Sequence, residues 1–117
     1  MVENRNLNVL EHIHGYCEEI LHTIEVFGND YKVFEVNTIY QNAVAMCVLQ
    51  IGELTTHFTE DFKQEYNKIP WYQIKALRNI VAHNYGKIDR KMLWDTIQHD
   101  IPELDEYCVK ILEKLKQ

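Results

Sequence analysis

The chain has 117 residues, 46% of them hydrophobic, with 12 Lys and Arg against 18 Asp and Glu and a formal net charge of −6. That length suits one domain around one core and is too short to divide into two. The acidic balance excludes a protein that coats nucleic acid over its whole surface, because tracking a phosphate backbone needs a positive face. No apolar run approaches the roughly 20 residues that span a bilayer. The N-terminus mixes charge into its apolar positions, unlike a signal peptide, so a cytoplasmic address without membrane contact is expected.

In chain order the pattern is helical. Leu7, Leu10, Ile13, Cys17, Ile20, Leu21, Ile24 and Phe27 step by three and four, the stripe of an amphipathic helix over residues 7–27. Gly28, Asn29 and Asp30 end it. A second long helix is expected over about residues 37–58, with Ile39, Ala43, Met46, Cys47, Leu49 and Leu54 as its apolar positions. Gly52 inside it costs about 1 kcal/mol against alanine, which points to a close crossing or a bend.

Thr59 suits the N-cap of a short helix. Pro70 opens a third main helix in its first turn, where its missing N–H is harmless, and Gly86 stops that helix after about residue 84. Asp89 can cap a helix that runs through Trp94 and Ile97. Pro102 then allows a kink or a fresh start before the last helix. With no alternating β pattern and no repeat, the expected fold is all-α, an antiparallel up-and-down bundle of four to five helices.

Cys17, Cys47 and Cys108 lie at least 30 residues apart and form no C-x-x-C pair, so buried reduced thiols are expected rather than a zinc knuckle or a disulfide frame. The charge is unevenly placed. Five cations (Lys75, Arg78, Lys87, Arg90, Lys91) and one anion (Asp89) fall between positions 75 and 91, against seven cations and seventeen anions elsewhere. A local positive patch on an acidic body fits an anionic ligand gripped at one place.

Within that patch, "RNIVAHNYG" at residues 78–86 crowds Arg78, Asn79, His83 and Tyr85 at a helix end. Asn79 and His83 at i,i+4 share a face, whereas Arg78 and His83 lie about 140° apart on a regular helix. A site using both is easier to build if the helix end frays or if two copies meet across a two-fold axis. Cleaving RNA without a metal needs proton transfer at the 2′-OH and at the leaving 5′-oxygen, and a fixed cation on the phosphate. Histidine titrates near cellular pH and arginine holds two phosphate oxygens while keeping its charge. By physics alone, however, a His at a helix C-terminus is more often a cap matched to the carbonyl dipoles, and Tyr85 alone reads as a core or interface aromatic.

The segment "RNIVAHNY" fits the R-x4-H-x-Y pattern, with a polar residue after the Arg, and so resembles the HEPN superfamily, particularly its HepT-like ribonuclease toxins. "LEHIHGYCEEI", "LQIGELTTHF", "IPWYQIKALRNIVAHNYGKID" and "MLWDTIQHDIPEL" extend the resemblance over nearly the whole chain. The resemblance implies a homodimeric, metal-independent endoribonuclease with no cofactor, the toxin of a two-gene toxin–antitoxin pair acting on RNA. It implies Arg78 and His83 as the catalytic pair, with Asn79 as their polar companion. It also implies Tyr85 as the tyrosine that an MntA-like nucleotidyltransferase antitoxin modifies with AMP from ATP. Asn84 stands where many relatives carry Asp. The reading from a different class is a non-catalytic helical adaptor that binds such a nucleotidyltransferase.

Outside the motif, Glu53 beside Gly52 could orient Arg78 or bond at a dimer seam, and equally could be a plain exposed carboxylate. Lys75, Lys87, Arg90 and Lys91 suit steering of RNA, or of an acidic partner. Trp71 and Trp94 are expected as core anchors, with base stacking as the alternative. Glu11 with His14 and Glu19 with His22 copy half of a di-iron spacing, but all four lie on one helix, so solvated faces and no metal are expected.

Overall fold

The computed structural model describes residues 2–76 and 89–116, and within these every regular element is a helix. The first, α1 (Val2–Phe27), buries the stripe Leu10, Ile13, Cys17, Ile20 and Ile24 that its periodicity predicts. Gly28 ends it with φ +113°, a left-handed conformation that costs glycine little, and its N–H returns to the Ile24 carbonyl at 2.8 Å.

The following link is itself helical, as α2 (Tyr31–Val36), with Asp30 capping its start and Phe34 fully buried. This turn and a half is too short to show a period, and tertiary burial of Phe34 stabilises it. Asn37 then caps α3 (Thr38–Leu54), its side-chain oxygen accepting from Tyr40 N at 3.0 Å. The helix gives way at Thr55–His57 to a tighter 3-10 turn, short of the expected end near residue 58.

The face that α3 buries also differs from the expected one. Tyr40, Val44, Ala45, Cys47, Val48 and Ile51 point inward, while Ile39 and Met46 are 69% and 56% exposed. Apolar residues surround most of this helix, so periodicity alone does not select a face, and packing against α1 does. Gly52 is buried, as a close crossing requires.

Three contacts fix the direction of that packing. Asn6 meets Thr59, Glu19 meets Cys47, and Phe27 stacks on Tyr40 at 5.1 Å, so rising numbers on α1 meet falling numbers beyond it. The two long helices are therefore antiparallel. Thr59 caps α4 (Glu60–Glu65), as expected, through a bond from Phe62 N. Asn6 is buried and bonds Thr59 twice, donating to its hydroxyl at 3.2 Å and accepting from its N–H at 3.1 Å.

α5 (Trp71–Ala76) begins just after Pro70, whose carbonyl accepts from the N–H groups of Gln73 and Ile74. α6 (Arg90–Asp95) is capped by Asp89, as expected, through a 3.0 Å bond from Met92 N. It passes through a π-helical turn, Thr96–Asp100, into α7 (Ile101–Leu115), which holds Pro102 in its first turn. Pro102 thus permits a continuous run because the wide turn absorbs the register change. His14–Asp105 and Glu11–Lys116 contacts make α7 antiparallel to α1. No helix among the described residues is long and apolar enough to cross a membrane.

The Asn6–Thr59 clasp joins the start of α1 to the start of α4 by two bonds at a buried position. Asn6→Ala should lower unfolding free energy by about 1–3 kcal/mol, because it removes a buried side chain and leaves the part-buried Thr59 N–H without its acceptor. Urea denaturation followed by circular dichroism should show an earlier midpoint with an unchanged slope.

Candidate active site

Arg78, Asn79, His83, Tyr85 and Lys87 lie outside the described residues, so the structure bears on the site through what flanks it. On the entry side, α5 is anchored by Trp71, which is buried and donates from its indole N–H to the Tyr66 carbonyl at 2.6 Å. Its ring lies in an aromatic stack with Phe58, Phe62 and Tyr107, at centroid distances of 4.9, 6.0 and 6.3 Å. Such contacts act together with burial to hold the helix in one place. Arg78 follows the last residue of α5 by two positions in the sequence.

On the exit side, the Asp89 cap starts α6, and Trp94 is buried against Phe34, Tyr31 and Tyr40 at 5.1, 5.9 and 6.2 Å. Trp71 and Trp94 are both core anchors, in keeping with the sequence. Each bounds the 77–88 segment on its own side.

The other residues singled out in the sequence are not gathered at one point among the described residues. Lys75 is exposed on α5 and Glu53 is exposed near the end of α3, and these two helices pack together. Arg90 donates to the Glu35 carbonyl at 3.1 Å. Lys91 lies 3.4 Å from Asp95 and 5.1 Å from the centre of the Tyr31 ring. Both therefore tie α6 to its neighbourhood and to α2, a role that sequence spacing did not suggest, while remaining exposed. Along α1, Glu11, Glu18 and Glu19 line open grooves with His12 and His22, an acidic lining that disfavours phosphate.

All three cysteines are free and buried. Burial drives their thiols toward the protonated form, with Cys47 and Cys108 each raised from 9.0 to about 12 and Cys17 raised further. The neighbouring carboxylates act the same way, Glu19 by hydrogen bond and charge on Cys47 and Asp105 by charge on Cys17 and Cys108. They offer no nucleophile near neutral pH.

Sequence reasoning missed one polar pairing in the core. His14 Nδ1 stands 2.6 Å from Asp105 Oδ1 across the α1–α7 seam, and Asp105 is buried. The signal was present: Asp105 interrupts an otherwise apolar stripe of Ile101, Leu104, Cys108, Ile111 and Leu112. His14 is accordingly half-buried and paired rather than part of a solvated face.

A family model described as ribonuclease HepT-like matches residues 13–111. The chain belongs to the HepT-like ribonuclease family. It is an all-α member of the HEPN superfamily, as the motif and helical pattern implied. Among curated proteins, one from Caldanaerobacter subterraneus subsp. tengcongensis, named a putative RNase, is 29% identical over 107 residues, covering 92% of this chain and 94% of that protein. A protein from Thermococcus cleftensis, named probable ribonuclease HepT, is 32% identical over 94 residues, covering 76% of this HepT-like chain and 86% of its own. No solved structure gives a significant match.

The raised thiols make alkali a test of this HepT-like core. A thiol whose folded pKa lies above its unfolded value keeps its stabilising contribution below the unfolded pKa and loses it as pH climbs through the folded one. Stability should therefore fall from about pH 9 toward about pH 12, the range over which Cys47 and Cys108 are shifted. The disulfide reagent DTNB at pH 8 should find all three cysteines shielded in folded protein and reactive in guanidinium, and melting temperatures measured across the alkaline range should track the loss.

Proposed function

We propose that this chain acts in the cytoplasm, as one helical domain paired with a second copy, as a metal-independent endoribonuclease toxin. The reading rests chiefly on one observation, the R-x4-H-x-Y segment at 78–85 within a chain of the HepT-like ribonuclease family. Arg78 holds the phosphodiester with its planar fork. The 2′-oxygen attacks phosphorus, the bond to the 5′-oxygen breaks, and a 2′,3′-cyclic phosphate and a 5′-hydroxyl result. His83 handles the proton, and two copies of it in a dimer can serve the two ends of the transfer. Asn79 positions the ring, and Glu53, on the helix against which α5 packs, is the candidate second support.

Three features of the described frame support this reading. Buried Trp71 and Trp94 hold the two chain ends that bound the motif. Lys75, Arg90 and Lys91 are exposed and extend the positive region on either side, with Lys87 between them in the sequence, as contacts for RNA phosphates. Ile39 and Met46 leave an apolar strip on the outward side of α3 that a second copy can cover.

The partner in this reading is an MntA-like nucleotidyltransferase antitoxin that transfers AMP from ATP to the Tyr85 hydroxyl, releasing pyrophosphate. The added anionic group then stands near Arg78 in sequence and opposes an incoming RNA phosphate. Co-expression with such a transferase should add one or more AMP masses to the peptide that contains Tyr85 and to no other. An unmodified peptide would remove this part of the proposal.

Incubation of purified protein with total RNA in EDTA tests the nuclease itself. Wild type should cleave, and His83→Ala should slow cleavage by about 10²–10⁴-fold, the usual loss for a general acid–base group. Arg78→Ala should cost about 10²–10³-fold, as for loss of a fixed charge stabiliser. Absence of cleavage by wild type would favour the non-catalytic adaptor that binds a nucleotidyltransferase.

A further inference from the structure

His14 and Glu18 lie one turn apart on α1, and Asp105 faces them from α7. One donor atom from each, an imidazole nitrogen of His14, a Glu18 carboxylate oxygen and an Asp105 carboxylate oxygen, falls within 4.8 Å of the other two. Nδ1 is 2.6 Å from Asp105 Oδ1 and 4.0 Å from Glu18 Oε1. The sequence discounted metal binding here because the Glu-x-x-His pairs sat on a single helix. The fold supplies the ligand from a second helix.

We propose that this seam binds one divalent transition-metal ion of the zinc class, which cross-links α1 to α7. An imidazole nitrogen and two carboxylate oxygens are the donor types that suit such ions, with water completing a tetrahedron. At metal–ligand distances of about 2.1 Å, tetrahedral donors stand about 3.4 Å apart. The separations of Nδ1 from the Asp105 and Glu18 oxygens, 2.6 and 4.0 Å, bracket that value. Glu18 is 59% exposed at its side chain, so its rotation closes the longer one without disturbing packing.

The chemistry of Asp105 gives the site its anchor. Its side chain is only 11% exposed, beside the thiols of Cys17 and Cys108, and a buried charge needs a cation or strong donor. Without metal, His14 fills that role by hydrogen bonding. On binding, the Nδ1 lone pair and the Asp105 oxygen both turn to the ion, and any proton held between them moves to Nε2 or to solvent. The ion is a structural clamp between α1 and α7, and the inference holds whether or not the chain is a nuclease.

Calorimetric titration of EDTA-stripped, dialysed full-length protein with zinc chloride reads the site directly. One equivalent should bind, with a rise in melting temperature. Glu18→Gln, at an exposed position, should fold as wild type and bind at least tenfold more weakly. His14→Ala should abolish the high-affinity phase, while His22→Ala, on the same helix outside the cluster, should retain it. Absence of saturable zinc binding, or binding unchanged in both Glu18→Gln and His14→Ala, would overturn the proposal.

Discussion

The antiparallel seating of α1 between α3 and α7 is the constraint on which the rest of the structure depends. Its inward stripe is fully or nearly fully buried from Leu10 to Ile24, and each such side chain is worth about 1.5–3 kcal/mol when removed from water. That burial sets where α3 and α7 lie against α1. Asn6 then locks Thr59 and the start of α4, while His14 locks Asp105 on α7. Polar bonds placed at such a seam specify register, since shifting either helix by one residue would leave a buried donor or acceptor unpaired.

Two aromatic groups transmit this frame to the flanks of the 77–88 segment. Phe58, Phe62, Trp71 and Tyr107 bring α5 against the turn after α3, and Phe34, Tyr31, Tyr40 and Trp94 bring α6 against α2. Each group includes one of the chain's two tryptophans, and the motif lies between those tryptophans in the sequence. Chemistry that depends on aiming an Arg and a His benefits from flanks whose positions are set by rigid packing. Arg90 and Lys91 serve in both respects, since they brace α6 while keeping exposed positive charge beside the segment.

What could be read in the sequence follows from where local and tertiary forces agree. The α1 stripe, the caps Thr59 and Asp89, and the glycine stop after α1 are local signals, and the structure bears them out. The helix over Tyr31–Val36 was hidden because only burial of Phe34 justifies it, and the inward face of α3 was misjudged because apolar residues surround that helix. The His14–Asp105 bond joins positions 91 apart, a pairing that no local pattern encodes. For the candidate site, the motif and the resemblance of the chain carried the family. The bracing roles of Arg90 and Lys91 emerge only from the packing, because α2 supplies partners to both.

In the proposed mechanism residues 78–85 act as an acid–base and phosphate-holding unit that needs no metal for its chemistry. Identifying the ends left on a defined RNA, cut in EDTA by the purified protein, tests it most directly. Fragments ending in 2′,3′-cyclic phosphate paired with 5′-hydroxyl ends are expected, with no cutting where the attacked 2′-hydroxyl is replaced by hydrogen. Fragments with 3′-hydroxyl and 5′-phosphate ends, or cutting that survives the 2′-deoxy substitution, would contradict it.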